Sequence, residues 1–306
     1  MLGRMPRSPG RSATRARGAL AARASAALLA ALASAILLAG CALTPVTFPT
    51  ANPDSPLVLT GWRTRPAGAP PFPAVVLMHG CHGVAASTVD WARWLTARGY
   101  VALVVDSWTA RGMTEGCTPF ARDSPPNERF GDAAGALHFL HGQPDVDRNR
   151  IGVMGWSNGG VFAMSVVNGP SLERQRMRGV VLQSPGYRAA VAIYPGGCFS
   201  LIHEDIIRPL LVLVGAADDW TLASVCDDMV QTLRRHGDPA EIVIYPGAVH
   251  YFDVVGQSRT YLPDVANRNR AGDCCGATVG YDANAAADAH RRVADFLSRH
   301  VAAPSP

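Results

Sequence analysis

The sequence predicts an α/β protein with a mostly parallel central sheet and helices on both faces. Two observations predict the fold class and the number of domains. Short apolar runs typical of buried parallel strands alternate along the chain with segments whose apolar residues recur at helical spacing. No linker interrupts this alternation beyond residue 56, so we expect a single domain over residues 56–303. Sheets of this kind carry their functional residues at the carboxyl ends of the strands.

The predicted elements follow one another in a regular order. The first core strand is Pro73–His79, and the helix after it is capped by Ser87 or Thr88 and ends at Gly99. The other predicted strands are Tyr100–Asp106, Ile151–Trp156, Ala189–Tyr194, Leu210–Gly215 and Glu241–Tyr245, and the other helices cover Glu128–Gly142, a segment from Asn158, Thr221–His236 and a last segment from Asp282. Residues 107–127 form a long connection, and connections of this length are more often functional than idle.

The distribution of charge argues against binding to nucleic acid. All 28 basic residues are arginines, and six of them lie in the first 40 residues, which contain no acid. Without that segment 22 arginines face 24 acidic residues, so the remainder has a formal net charge of −2 rather than the +4 of the whole chain. The body therefore lacks the positive field that nucleic acid requires.

The first 40 residues have the order of a signal peptide, with arginine-rich residues 1–23 followed by apolar residues 24–40. The apolar run ends in Leu-Ala-Gly-Cys41, which resembles a bacterial lipobox, and Cys41 would then be diacylated and become the mature N-terminus. Residues 41–55, rich in Pro and Thr, are predicted to be a tether. We expect an exported protein of the bacterial cell envelope, anchored by lipid in the outer membrane and facing the periplasm. An uncleaved anchor helix and a soluble periplasmic protein are the alternatives.

Six further cysteines in an oxidising compartment favour disulfides over free thiols. Cys198 follows one predicted strand and Cys226 begins the helix after the adjacent strand, so we predict a bridge between them. Cys81 and Cys117, in two neighbouring loops at strand ends, are the second predicted pair. Because no CxxC pair or zinc-type Cys/His spacing occurs, the sequence predicts no metal site.

A nucleophilic serine is predicted in Gly155-Trp156-Ser157-Asn158-Gly159, a G-x-S-x-G motif. The motif follows an apolar strand and opens a helical segment, which is the setting of a nucleophile elbow. The sharp turn exposes the Ser157 hydroxyl and places the backbone N–H of Asn158 at a helix N-terminus, where it can stabilise an oxyanion.

A serine of this kind needs a base and an orienting carboxylate. His250 follows the last apolar strand at the expected sheet edge, and we predict it to be the base. Asp218 lies three residues after Gly215, which ends a strand, and is preferred as the acid over its neighbour Asp219, a solvated or capping residue. The order Ser157, Asp218, His250 is that of hydrolases with a nucleophile elbow.

The loop His79-Gly80-Cys81-His82-Gly83 follows the first core strand, and the backbone N–H of Cys81 is the candidate second oxyanion donor. His79 is expected to support this loop. His82 and His203 stay open as pocket residues. The other histidines are expected to be surface or packing residues: His138, His141, His236, His290 and His300.

Over about residues 57–302 the chain resembles the dienelactone hydrolase family of α/β-hydrolases. The resemblance rests on blocks in a fixed order: His79–Gly83, Val104–Ser107 with Arg111-Gly112, Asp145–Gly160, Tyr194–Gly196, Gly215–Thr221 and Tyr245–His250. It implies an α/β-hydrolase fold with Ser157 as nucleophile, Asp218 as acid and His250 as base, and no cofactor. The namesake enzymes carry Cys where this chain has Ser157, and Leu222 stands where relatives often have Pro, so the resemblance does not extend to the name of the substrate.

The sequence therefore predicts a serine hydrolase of carboxylic esters or lactones, with a small-molecule substrate. A peptidase of the prolyl-peptidase class is the first alternative, because that class shares the core and the triad. A lipoprotein that binds a ligand and keeps a vestigial triad is the second. The sequence does not indicate an oligomeric state.

Overall fold

An eight-stranded sheet forms the centre of the computed structural model, which describes residues 42–118, 128–201 and 205–302. Its strands are β1 (Thr44–Pro49), β2 (Val58–Arg63), β3 (Phe72–Met78), β4 (Val101–Asp106), β5 (Val146–Trp156), β6 (Ala190–Ile193), β7 (Leu210–Gly215) and β8 (Ala240–Tyr245). They lie in the order β1-β2-β4-β3-β5-β6-β7-β8. β1 and β2 are antiparallel to their neighbours and every later pairing is parallel, which confirms the predicted sheet.

Six helices accompany the sheet in the described part of the chain: α1 (Ala86–Thr96), α2 (Glu128–His141), α3 (Asn158–Ser165), α4 (Gly169–Met177), α5 (Ala223–His236) and α6 (Ala283–Leu297). α2, α3 and α5 pack on one face of the sheet through Phe130, Phe162 and Met229. α1 and α6 pack on the other face through Trp91 and Phe296. The strands β3, β6 and β7 and the second half of β5 (residues 151–156) consist of apolar residues, because both of their faces are covered.

The tether predicted over residues 41–55 is wrong for residues 44–49, which form the edge strand β1. Val46 and Phe48 alternate with polar residues and proline, and Phe48 is buried in the core. This half-buried alternation is the pattern of an edge strand. The prolines in this segment argue against a strand in general, but an edge strand tolerates them. The composition rich in Pro and Thr therefore pointed to a tether.

Several elements lie outside the sequence prediction. They include β1, β2, α4 and a two-stranded hairpin, β9 (Thr260–Leu262) and β10 (Ala277–Val279), between His250 and α6. α1 begins after Ala85 without a side-chain cap, so the expected cap by Ser87 or Thr88 is not formed.

The predicted signal peptide with the lipidation site Cys41 lies outside the described residues, as do all three prolines of the 107–127 connection and His203. None of the described helices is both long enough and apolar enough to cross a bilayer.

Candidate active site

Ser157 occupies a strained turn between β5 and α3. Its φ and ψ are 50° and −115°, and positive φ is uncommon for residues other than glycine. The turn is fixed by the backbone, because the Ser157 N–H donates to Ile193 O at 3.0 Å and its carbonyl accepts from Gly160 and Gly196. This is the strand–turn–helix geometry predicted for the G-x-S-x-G motif.

The two glycines of the motif are required by close packing of the backbone. A Cβ on Gly155 would collide with the Gly159 carbonyl, and a Cβ on Gly159 would collide with the Met78 carbonyl at the end of β3. The turn can therefore lie against the neighbouring strand only because both positions lack a side chain.

His250 and Asp218 form a buried pair. The Nδ1 atom of His250 lies 2.7 Å from Oδ2 of Asp218, and both side chains are inaccessible to solvent. Oδ1 of Asp218 accepts the backbone N–H groups of Trp220 and Thr221, so the carboxylate is fixed independently of the histidine. Asp218 thus holds the imidazole through a single oxygen.

The other ring nitrogen of His250 is available for chemistry. Nε2 is buried and makes no hydrogen bond within the described part of the chain. The imidazole is surrounded by aromatic rings, with centroids at 4.4 Å for Tyr194, 4.8 Å for Trp220 and 4.9 Å for Tyr251. These rings hold the imidazole in place.

The sheet order brings the predicted residues to one edge. Ser157 follows β5, Asp218 follows β7 and His250 follows β8, and these parallel strands are separated only by β6. Tyr194, directly after β6, occupies the gap and packs against His250 with its ring tilted by 52°. Asn158 begins α3, so its N–H lies at a helix N-terminus as expected.

Cys81, the candidate oxyanion donor, lies in a firmly held loop. Its carbonyl accepts from Trp108 Nε1 at 2.9 Å and from Gly116 N at 2.7 Å, and its sulfur is bonded to Cys117. The predicted bridges Cys81–Cys117 and Cys198–Cys226 are both present, each with a Cα–Cα distance of 5.0 Å. A third bridge joins the adjacent residues Cys274 and Cys275.

His79 and Arg129 support this loop from beneath. Burial, and then the nearby Arg129 guanidinium, hold the pKa of His79 well below its usual value. Its neutral ring contacts Gly80 O through Nδ1 and accepts the Ser107 N–H at Nε2. Arg129 is itself buried, which lowers its pKa to about 9, and it donates to His79 O and to the Asn158 side chain. Both predicted oxyanion segments therefore contact one guanidinium.

His82, left open by the sequence, lies near His250. Its Nδ1 is 2.5 Å from the Tyr251 hydroxyl and its ring packs edge-on against Trp220. Burial lowers the pKa of His82, and the proximity of His250 lowers it further although Glu115 opposes the shift. An open cavity of about 650 Å³ adjoins this corner, with a wall that includes His82, Trp108 and several apolar side chains: Leu43, Trp62, Val84, Val89 and Met113.

Asp219 is not the solvated or capping residue that the sequence predicts. Its carboxylate accepts from Thr278 N at 2.7 Å and pairs with Arg270 at 3.0 Å, which ties the hairpin segment to the loop of Asp218. Trp220 strengthens the same junction by donating to Ala266 O. The segment after His250 thus forms part of the wall of the site.

In the described part of the chain, two groups of side chains lie close enough together to bind a metal ion. In the first, Cys81 and Cys117 are joined in a disulfide and are not thiolates, which leaves His82 as a single donor. In the second, Asp205, His236 and Asp238 are largely exposed. The first group therefore lacks the donor set of a structural or catalytic metal site.

A serine on a strained strand-to-helix turn, with a buried His–Asp pair at the carboxyl edge of a mostly parallel sheet, defines the α/β-hydrolase class of proteins. Within that class the chain belongs to the dienelactone hydrolase family, whose sequence profile matches residues 59–301. It is accordingly a hydrolase that acts on esters or lactones.

Individual relatives are distant. A Methylorubrum extorquens protein named "Putative carboxymethylenebutenolidase" is 25% identical over 203 residues, which cover 64% of this chain and 68% of the relative. The thermophilic esterase of Thermogutta terrifontis with bound propionate has a TM-score of 0.59 and 18% identity, over 87% of this chain and 97% of the esterase. A dienelactone hydrolase-like promiscuous phosphotriesterase from metagenomic libraries has a TM-score of 0.56 and 18% identity, over 85% and 99%.

Four residues at the site lie outside the sequence prediction: Tyr194, Tyr251, Arg129 and Asp253, a buried carboxylate that accepts from the Tyr194 hydroxyl. Tyr194 stands in a Tyr-Pro-Gly block at a strand end and so carried a signal, whereas Asp253 is recognised only by its contacts. Arg129 carried none, because a lone arginine in a predicted helix is normally on the surface.

Proposed function

We propose that the protein cleaves carboxylic esters or lactones through an acyl-enzyme, with Ser157 as nucleophile, His250 as base and Asp218 as the carboxylate that orients the base. The observation that carries the proposal is the state of His250. Its Nδ1 is held by Asp218 at 2.7 Å, while its buried Nε2 has no partner among the described residues. A histidine held in this way can accept a proton at Nε2 and return it.

The chemistry proceeds in two steps. The Ser157 hydroxyl attacks the substrate carbonyl carbon while its proton passes to Nε2 of His250, and the backbone N–H groups of Asn158 and Cys81 stabilise the oxyanion. The imidazolium then protonates the leaving alkoxide, which in a lactone stays attached to the acyl group. Water attacks the acyl-enzyme with His250 again as base, and Ser157 is released.

The surroundings of His250 support a small substrate end that contacts aromatic rings. Trp220 and Tyr251 pack on its imidazole, and the adjoining cavity is lined mainly by apolar side chains, together with Arg93 and Asp106. The relatives include a protein named as a lactonase of 2-oxo-3-(5-oxofuran-2-ylidene)propanoate and an esterase with bound propionate, which supports esters or lactones of small acids.

Hydrolysis of p-nitrophenyl esters of increasing acyl length, with a butenolide and a prolyl peptide anilide alongside, tests the proposal. We expect turnover of short esters or of the lactone, labelling of Ser157 by a fluorophosphonate, and no cleavage of the anilide. Cleavage of the anilide alone would favour a peptidase. Absence of labelling in the folded protein would favour a binding protein with a vestigial triad.

We further propose export and lipid anchoring at Cys41. The support is the arginine-rich leader, the apolar run and the lipobox-like Leu-Ala-Gly-Cys41. Two or more acyl chains hold a protein firmly on a membrane, whereas one does so only marginally. The full chain should fractionate with membranes, and Cys41→Ser should lose its lipid. Wild-type protein in the soluble periplasmic fraction with an unmodified N-terminus would refute the anchor.

A further inference from the structure

Asp253 is a buried carboxylate that the proposed chemistry does not use. It lies three residues after His250 and is 3% exposed. Its Oδ2 accepts the indole N–H groups of Trp91 and Trp156, each at 2.8 Å, and its Oδ1 accepts the Tyr194 hydroxyl at 2.7 Å. These three donors are neutral. Burying a carboxylate lowers the stability of the folded protein unless the carboxylate is well hydrogen-bonded. The presence of a buried aspartate at this position therefore requires a structural explanation.

Two of the three donors belong directly to the site. Trp156 precedes Ser157 and is the last residue of β5. The ring of Tyr194 packs at a tilt on the ring of His250, with centroids 4.4 Å apart. The Tyr194 carbonyl accepts from the Thr221 hydroxyl at 3.1 Å, and that hydroxyl lies 2.9 Å from Oδ2 of Asp218. One carboxylate therefore connects the residue before the nucleophile, the ring that packs on the base and the chain that carries the base.

The tyrosine needs such an anchor. Its φ is 36°, which residues other than glycine rarely adopt, so the surrounding contacts must impose this backbone conformation. Burial, and then the charge of Asp253, raise the pKa of Tyr194 well above its usual value, which keeps the hydroxyl protonated and able to donate.

We propose that Asp253 is a positioning residue of the hydrolase: it fixes the turn of Ser157 and the ring of Tyr194 relative to His250. This inference rests on the proposed function. A misplacement of about 1 Å between reacting groups costs about 10²-fold in rate. The loss should fall on kcat rather than on KM, because Asp253 holds the catalytic groups and makes no contact with substrate.

A pair of substitutions at Asp253 separates geometry from charge. Asparagine can preserve all three contacts, since its Oδ1 accepts from both indoles and its Nδ2 donates to the Tyr194 hydroxyl, which is also an acceptor. We expect Asp253→Ala to lower kcat about 10²-fold with KM changed less than about twofold, and Asp253→Asn to retain kcat within about fivefold. Equal losses in the two variants, or wild-type kcat per folded molecule in Asp253→Ala, would overturn the proposal.

Two tryptophans provide a matched control that also serves if Asp253→Ala does not fold. Trp91 and Trp156 donate to the same oxygen at the same distance, but Trp91 lies on α1, whereas Trp156 directly precedes Ser157. Trp156→Phe should lower kcat about tenfold and Trp91→Phe less than about twofold, with similar losses of thermal stability. If both variants lose thermal stability but keep wild-type kcat, the hydrogen bonds to Asp253 act only on stability and the positioning role is refuted.

The failure of this inference is distinguishable from failure of the proposed function. If Ser157→Ala keeps its esterase activity, the proposed function is wrong. If Ser157→Ala is inactive while Asp253→Ala and Trp156→Phe keep wild-type kcat, the function stands and the role of Asp253 is refuted.

Discussion

Asp218 and Asp219 are adjacent in sequence, yet their carboxylates contact different parts of the protein. Asp218 contacts His250 at 2.7 Å, whereas Asp219 contacts Thr278 and Arg270. After β7, the side chain of Asp218 points towards His250 and the side chain of Asp219 points towards the β9–β10 segment. Only Asp218 can orient the imidazole, and Asp219 maintains the wall of the site.

The two aspartates should therefore differ sharply on substitution. Asp218→Asn removes the carboxylate that fixes the His250 tautomer and should lower kcat about 10⁴-fold, as in triad hydrolases generally. Asp219→Asn should keep kcat within about tenfold, because it weakens only contacts with the segment. Steady-state kinetics on one short ester would decide, and equal losses would mean that the acid has been assigned to the wrong neighbour.

Removal of the nucleophile should abolish turnover without unfolding the protein. Ser157→Ala deletes one hydroxyl at a turn that is held by backbone hydrogen bonds, so the turn itself should persist. We expect a loss of activity of about 10³–10⁶-fold, measured with circular dichroism as the control for folding. Activity within tenfold of wild type in a folded variant would exclude Ser157 as nucleophile.

The two long-range disulfides should have different effects on activity. Cys81–Cys117 closes a separation of 36 residues and Cys198–Cys226 one of 28, so each should contribute about 3–4 kcal/mol by restricting the unfolded chain. Replacing either pair by serine should lower thermal stability. Only the Cys81/Cys117 variant should also lose kcat, by about tenfold or more, because Cys81 lies in the oxyanion loop.

The Cys198/Cys226 double variant is the matched control for that experiment. Both variants are assayed well below their own midpoints of thermal unfolding, so that each is fully folded. Equal kcat in the two would mean that the oxyanion loop is held without its disulfide.

Acidification should destabilise the protein through His79. Its pKa is lowered in the folded state by burial and by Arg129, so below about pH 6.5 the unfolded chain binds a proton that the folded chain does not. Stability from this group is complete above pH 6.5 and falls by at most about 1.4 kcal/mol per pH unit below it. His79→Asn should reduce the difference in midpoint of thermal unfolding between pH 7.5 and 5.5. The remaining slope comes from other histidines with lowered pKa: His82, His138, His141 and His300.

The central strands and the positions of Ser157, Asp218 and His250 were predictable from sequence for one physical reason. Strands buried on both faces are continuous apolar runs, and the residues that follow them in a parallel sheet must meet at one edge. The disulfide Cys198–Cys226 followed from the same argument, because both cysteines lie just beyond adjacent strands.

Residues whose roles depend on tertiary contact could not be predicted. β1 was concealed by its prolines, and the burial of Arg129 depends on how α2 packs against α3. The role of Asp253 can be recognised only from the positions of its three hydrogen-bond donors, which lie on three separate elements. No local pattern in the sequence specifies such a meeting of distant side chains.

The position of two prolines in β1 has a consequence for association between copies of the protein. β1 is the outer strand of the described sheet, and it includes Pro45 and Pro49, which lie opposite β2 residues. A proline has no backbone N–H and cannot donate a hydrogen bond. In an antiparallel ladder alternate residues turn their N–H groups outward, so Pro45, Thr47 and Pro49 form the outward set. Two of these three positions offer no donor, and Thr47 alone remains. A second chain cannot extend the described sheet along the β1 edge with a continuous ladder, which protects this edge from strand-to-strand aggregation.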